Sequence, residues 1–283
     1  MAFEVYRETT TGNAGDVQGA GDGNYATAAN WSGTGPPSAA DDVEIAPGVQ
    51  RIIAGLDQSA VAIGWFRVAP GHTGQIGTID DYLQIDPDDW EWHSQGSGFL
   101  DIGTAASNGA VYRTASATLP AVGLEVKGGN ASGTLKVIRG VVGLATREDS
   151  GSVTLATLDI EWLNGQLTDA QVWVGEDCTA ATVNQTGGFC HWGGICTTYN
   201  QSGGELRVDT SDGFTLMQAG GTAYVRRAGT IATLTVGGTV DCTRARSALT
   251  ITDTVMQGGT LIIDENVTLT NVPTGNGTIT RID

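Results

Sequence analysis

The chain of 283 residues is poor in charge and cysteine and lacks long apolar runs, and each shortage excludes a class of protein. Charged residues make up only 16% of the chain, which excludes a coiled coil built from Ala, Glu, Lys, Leu and Arg. No apolar run approaches the ~18 residues of a membrane-spanning helix. Four cysteines are too few for a disulfide scaffold. The sequence therefore predicts a globular or solenoid protein whose fold does not depend on a set of disulfide bonds.

Positive charge is also scarce, because 14 basic residues stand against 31 acidic ones and the formal net charge is −17. A surface that binds phosphates needs the opposite sign, so we expect no nucleic-acid partner. The same argument predicts no binding to an anionic membrane. The N-terminus carries no apolar stretch of the kind found in secretory signals. We therefore expect synthesis in a reducing cytoplasm, with any later export as part of an assembled particle.

Glycine, by contrast, is abundant, with 42 residues, and in the second half it recurs at regular intervals. Nine glycines each precede a short run in which apolar and polar residues alternate. They are Gly133, Gly151, Gly165, Gly188, Gly204, Gly221, Gly238, Gly259 and Gly277. The 144 residues from the first to the last make eight steps, a mean of 18 residues a step. That period is too short for helical solenoids, whose units run ~33–47 residues.

Alternation of period two within each unit indicates half-buried strands. We predict an all-β fold, a single-stranded parallel β-helix with a less regular N-terminal part, in which each turn stacks on the previous one. The inward side chains are then Leu206, Val208, Val225, Val240 and Leu261. The alternative is an antiparallel β-sandwich or jelly roll, whose turns would fall every 8–12 residues.

Proline and composition divide the chain into three parts. Residues 1–20 read as a polar N-terminal arm, and residues 121–283 contain the β-helix repeats. Between them, residues 21–120 hold six of the seven prolines and read as an irregular β-rich opening and capping region. Proline cannot donate a hydrogen bond to a strand ladder, so a regular stack is not expected in that region.

The densest candidate for binding is an acidic and aromatic patch. Its members are Asp86, Asp88, Asp89, Trp90, Glu91, Trp92 and His93. Carboxylates suit hard cations and indoles suit sugar faces, but the spacing is not that of an EF-hand loop. The interpretation without a binding function is a solvated turn followed by a strand with both tryptophans on one face. A contact with a neighbouring subunit and a ligand site are the other two interpretations.

No motif points to catalysis, a cofactor or a metal. Cys178, Cys190, Cys196 and Cys242 lack zinc-knuckle spacing, so we interpret them as core residues. His72 and His93 show no serine or cysteine nucleophile in a recognisable motif, and no phosphate loop is present. The pair Arg226–Arg227 reads as a solvated corner, with a contact to an acidic subunit as the alternative. We therefore expect a non-enzymatic protein.

Residues 21–45 carry a resemblance to a known kind of protein. Asn30-Trp31, a Gly/Pro turn at residues 33–37, the pair Asp41-Asp42 and the strand Val43-Glu44-Ile45 follow one another. This order resembles the module that opens parallel β-helices in bacteriophage virion proteins, and also in bacterial surface proteins. Trp31 would cap one end of the core.

The resemblance implies a structural protein on the virion surface, made in the cytoplasm of the host, and specifically a capsid decoration or cement protein that stabilises the head. Capsid subunits would be its partners, and a homo-oligomer is implied, with a trimer favoured. The alternatives are a tail fibre or tailspike module that binds or degrades host glycan, and a fragment of a bacterial adhesin.

Overall fold

A computed structural model describes residues 2–8, 21–33, 35–103, 107–112, 123–147, 151–161, 170–210, 213–245 and 247–282. Within these residues the chain forms 22 β-strands and one short 3₁₀ turn, Ala28–Asn30. The strands are β1 Phe3–Tyr6, β2 Asp42–Ile45, β3 Asp57–Val68, β4 Gln75–Ile76, β5 Leu83–Trp92, β6 Ser97–Ile102, β7 Asn108–Val111, β8 Leu124–Val137, β9 Gly140–Leu144, β10 Val153–Ile160, β11 Ala170–Val174, β12 Cys178–Gln185, β13 Phe189–Trp192, β14 Ile195–Gln201, β15 Glu205–Val208, β16 Phe214–Gln218, β17 Thr222–Val225, β18 Gly229–Val236, β19 Thr239–Asp241, β20 Leu249–Ile263, β21 Val267–Leu269 and β22 Thr274–Arg281. The described part of the chain holds no helix of the length and apolarity that crossing a membrane requires.

Every pairing between these strands is parallel, and the strands stack as a β-solenoid of about 11 turns. In the second half each strand pairs with the next but one, so that β10, β12, β14 and β16 form one series. The short strands β11, β13, β15 and β17 form a second series. This confirms the predicted parallel β-helix. A sandwich or jelly roll is excluded, because both need antiparallel neighbours.

The core consists of columns of inward side chains that stack from turn to turn. One column runs through the short strands, and its members are Val172, Cys190, Leu206, Ala223, Val240 and Leu261. All six are fully buried. The five inward residues predicted from the sequence are all buried, so the predicted register is confirmed. Alternation works here because neighbouring side chains on a strand point to opposite faces.

Glycine forms a column of its own at the corner before the short strands β13, β15, β17 and β19. Gly204 and Gly221 have φ values of +74° and +79°, a backbone conformation that residues with a Cβ rarely adopt. A Cβ on Gly204 would lie 2.3 Å from the carbonyl oxygen of Gly188 in the previous turn. Glycine is therefore required at Gly204 and Gly221 both by the turn and by the close stacking of one corner on the next.

Beside this corner lies a buried column of glutamines that hydrophobic alternation does not predict. Its members are Gln185, Gln201 and Gln218, in register on β12, β14 and β16. Gln218 donates from Nε2 to the carbonyls of Gly221, 3.1 Å away, and Thr239, 2.8 Å away. Its Oε1 accepts a hydrogen bond of 3.1 Å from the Gly238 N–H. Each amide thus links one turn to the next, so the column stabilises the corners as well as filling the core.

The first residues correct the prediction of a polar arm over residues 1–20. Phe3–Tyr6 is strand β1, which pairs in parallel with β2, and Tyr6 is fully buried. Glu8 is also buried and accepts hydrogen bonds from the Arg51 guanidinium. The alternation of Phe3-Glu4-Val5-Tyr6 allows a strand, and pairing with β2 determines it. Residues 9–20 lie outside the described residues.

The expected boundary at residue 120 is also corrected, because parallel stacking starts at β1 and continues through β2, β3, β5 and β7. Pro87 lies inside β5, paired in register with Ile63 of β3, so this proline does not interrupt the stack. In the opening module, Trp31 is buried, as a residue that caps the core must be. Its ring meets those of Tyr6 and Tyr25 edge to face, with centroids 5.1 and 4.8 Å apart.

Candidate functional site

The acidic and aromatic patch of residues 86–93 is divided by strand alternation on β5. Trp90 and Trp92 point inward and are buried in the core. Their rings lie so close to Gly109 and Gly98 that a Cβ at either glycine would clash with an indole. Neither tryptophan can therefore stack on a sugar or contact a neighbouring subunit, and that part of the expectation is corrected.

The polar members of the patch stay at the surface. Asp88 and Asp89 are exposed, Asp86 is partly buried, and Glu91 Oε2 lies 2.9 Å from His93 Nε2. The His93 ring stacks on Tyr112 with centroids 4.5 Å apart and planes within 9°. The structure thus gathers Glu91 and His93 but separates them from both indoles. In the part of the chain that the structure covers, no group of three or more His, Cys, Asp or Glu side chains could hold a metal ion.

The four cysteines lie in the core, as the sequence predicts. All four are buried and free of disulfides. Burial raises the pKa of the Cys190 and Cys242 thiols to about 12, which leaves them protonated and unreactive at neutral pH. His191, next to Cys190 in sequence, points outward and pairs with Asp209 instead.

A buried histidine and serine form a pair that sequence reasoning missed. His72 Nδ1 lies 2.6 Å from Ser94 Oγ, and His72 Nε2 lies 2.9 Å from the carbonyl oxygen of Gln50. Both side chains are fully buried, so no substrate can reach them. The pair joins consecutive turns and has a structural role. The two residues are 22 positions apart, so only the register of the solenoid brings them together.

The lowered pKa of His72 leads us to expect that the protein loses stability in mild acid. Burial lowers its pKa from 6.5 to about 4, so between these values the unfolded chain takes up a proton that the folded chain refuses. Stability should fall by up to about 3 kcal/mol as the pH drops from 6.5 to 4, and stay unaffected above that window. Chemical denaturation of the wild type and of His72→Gln over this range measures the effect.

The difference between these two proteins isolates His72 from other groups. Burial raises the pKa of Glu125, so the folded chain takes up a proton at this carboxyl more readily than the unfolded chain does. Glu125 therefore adds stability as the pH falls, and it does so equally in both proteins. His72→Gln should be less stable at pH 7 but should lose less on acidification. Parallel curves for the two proteins would contradict the assignment.

The outward side of the second strand series carries a cleft of about 510 Å³. Its ionisable lining residues are Glu176, His191, Asp209, Arg226 and Arg227. Arg227 Nη1 lies 2.8 Å from Glu176 Oε1 and 3.2 Å from the carbonyl oxygen of Asp209. Arg226 Nη1 lies 3.8 Å from Asp209 Oδ2, and His191 contacts the same carboxylate. The pair Arg226–Arg227 is thus built into a network of charges at the corner of the solenoid.

A second cleft, of about 650 Å³, lies where the corner glycines stack, and Gln171, Phe189 and Glu205 line it. Sequence reasoning found neither cleft, because their residues come from different turns. The strand register is the signal that could have found the clefts. On each strand the neighbours of an inward residue point outward, and outward residues at matching positions of consecutive turns lie side by side on the surface.

The fold and its surface define an all-β protein of the parallel β-solenoid class. Comparisons of the chain with protein-family models, with curated proteins and with solved structures find no match.

Proposed function

We propose that this chain is a non-enzymatic structural protein of a bacteriophage virion, and specifically a decoration protein on the capsid surface. The observation that carries the proposal is that β1 to β22 are joined by pairing into one stack. A solenoid with one shared core is a stiff rod, suited to bridging neighbouring subunits rather than to opening and closing around a substrate. The order of residues in the opening module, from Asn30 to Ile45, resembles that of bacteriophage virion proteins and is compatible with this setting.

The surface chemistry favours a structural role over glycan hydrolysis. Hydrolysis of a glycoside needs one carboxylic acid as proton donor and a second carboxylate as base or nucleophile. The two carboxylates of the first cleft, Glu176 and Asp209, are both engaged in ion pairs with arginine. Each carboxylate would have to leave its arginine before it could act on a glycoside.

Capsid subunits are the proposed partners, and a homotrimer is the proposed state on the shell. Closed cyclic symmetry is the usual form of such assemblies. A net charge of −17 keeps free copies apart in solution. Each bound copy would add contacts across a joint between subunits, so that opening the shell must also break those contacts.

The proposal predicts that residues 9–20 contribute to attachment but not to folding. The Gly21 N–H donates to the Glu8 carbonyl at 3.2 Å, so the two ends of this segment already meet. Replacing residues 9–20 with two glycines should leave the melting temperature unchanged and weaken binding to undecorated particles about tenfold. The control variant inserts two glycines after Gly21 and keeps the segment.

Copy number in purified virions tests the larger claim. Quantitative mass spectrometry should find hundreds of copies per particle, associated with heads, and particles without the protein should release DNA at a lower temperature. A few copies that fractionate with tails would contradict decoration and favour the tail-module alternative. Full attachment of the glycine-replaced variant would contradict only the role of residues 9–20.

A further inference from the structure

An exposed aromatic strip lies on the outward side of β11, β13 and β15, between the two clefts. Trp173 on β11 is 39% exposed and is the most exposed tryptophan among the described residues. Its ring contacts Phe189 and His191 of the next turn, with centroids 5.3 and 5.1 Å apart. The Arg207 guanidinium on β15 lies 5.0 Å from the centroid of Phe189. Three consecutive turns thus contribute to one continuous strip.

The strip is held in place by its neighbours rather than free to collapse. Trp173 pairs in register with His191, and His191 with Arg207, so a regular ladder sets the spacing of the side chains. Arg207 is fixed further by its ion pair with Glu205, at 2.7 Å. An indole kept at the surface by such contacts is pre-organised for a ligand, which reduces the entropy lost on binding.

Polar groups flank the strip at both ends. The second cleft offers the Gln171 amide and the Glu205 carboxylate at one end. The first cleft offers Asp209 and Arg226 at the other end. Each end therefore presents hydrogen-bond donors as well as acceptors, the mixture that hydroxyl groups require. Phe189 lines the second cleft and His191, two positions further along β13, lines the first, so the clefts adjoin the strip on either side.

We propose that this strip binds an oligosaccharide, with the Trp173 indole stacked on the apolar face of a sugar ring and the two clefts binding its hydroxyl groups. Exposed aromatic rings with a polar surround suit amphipathic ligands of this kind. A nucleic acid would be repelled by the net charge of −17. An apolar peptide would cover the charged lining of both clefts, and so remove it from water, without offering it hydrogen bonds. This inference goes beyond the proposed structural role and does not depend on it.

The test is a titration of the intact protein with three neutral hexasaccharides, of β-1,4-glucose, β-1,4-N-acetylglucosamine and β-1,4-mannose. Calorimetry and tryptophan fluorescence should detect binding of at least one of them at millimolar concentration or below. Trp173→Ala should weaken that binding at least tenfold. Trp173→Phe should recover part of the affinity, because a smaller aromatic face remains.

The matched control is Trp65→Ala, which removes a partly buried tryptophan on β3, far from the strip along the stack. It should leave the affinity unchanged. Thermal melts of all variants should stay cooperative, because Trp173 lies outside the core. Failure of all three sugars to bind, or equal affinity of the wild type and Trp173→Ala, would overturn the proposal. Neither result bears on the copy number of the protein in virions, so the two proposals fail separately.

Discussion

Leu261→Asp is expected to lower the free energy of unfolding by several kcal/mol, enough to disrupt the C-terminal turns. Leu261 is fully buried in the column between Val240 and Ile279. A carboxylate at this position has no cation or hydrogen-bond donor in the column, and an unpaired charge inside a core is costly. The loss of circular dichroism with temperature and denaturant measures the effect.

The adjacent substitution Ile262→Asp is the matched control, since it introduces the same charge in place of an aliphatic side chain of the same size one position further. Ile262 points outward and is partly exposed. Its register partner Asp241 adds a like-charge repulsion of up to about 1 kcal/mol. The expected result is therefore a large difference between the two variants. Equal losses at both positions would contradict the register, and with it the stacking of this column.

The second half of the fold could be predicted because each turn repeats a simple local pattern. A corner glycine followed by alternation, as in Gly204-Glu205-Leu206-Arg207-Val208, specifies both the bend and the inward face. Parallel stacking then follows, because a turn of about 18 residues can bury its apolar face only against its neighbours. In the first half Gly74 and Gly96 stack at the corners before β4 and β6, but no regular series of such glycines runs through it, so the local signal is weaker there.

Strand β1 illustrates what local reading leaves out. Phe3–Tyr6 is too short to be assigned by alternation alone, and the polar residues after Glu8 suggested an arm. The strand forms because β2 offers a partner, and Tyr6 is buried against Trp31. Partners 39 positions away, such as Phe3 and Asp42, leave no trace in a local window.

The two tryptophans of the candidate patch were expected at the surface for a related reason. Residues 86–93 attracted interest because acids and tryptophans are dense in sequence, yet Trp90 and Trp92 belong to the core. The exposed indole, Trp173, lies beside Phe189 and His191, which are 16 and 18 positions further along the chain. In a solenoid, a surface site is spaced by the length of a turn. The composition of a short segment therefore cannot reveal a surface site whose residues come from different turns.

The glutamine column gives the other large expected effect, through hydrogen bonds rather than apolar burial. Gln218→Met keeps the volume of the side chain but removes all three of its hydrogen bonds to the neighbouring turns. The Gly238 N–H would lose the Gln218 Oε1 acceptor, and an unsatisfied buried donor costs about 1–3 kcal/mol. With the two lost donor contacts, we expect a loss of about 2–4 kcal/mol in chemical denaturation.

The chain itself supplies graded controls for this prediction. Gln201 also donates to two carbonyls, but its Oε1 has no hydrogen-bond donor among the described residues, so Gln201→Met should cost less than Gln218→Met. Met256 occupies the same column two turns beyond Gln218. Met256→Leu should cost the least, because a similar apolar volume is exchanged. Equal stability of Gln218→Met and Met256→Leu would show that the glutamines only fill space, and that the glycine corners hold without them.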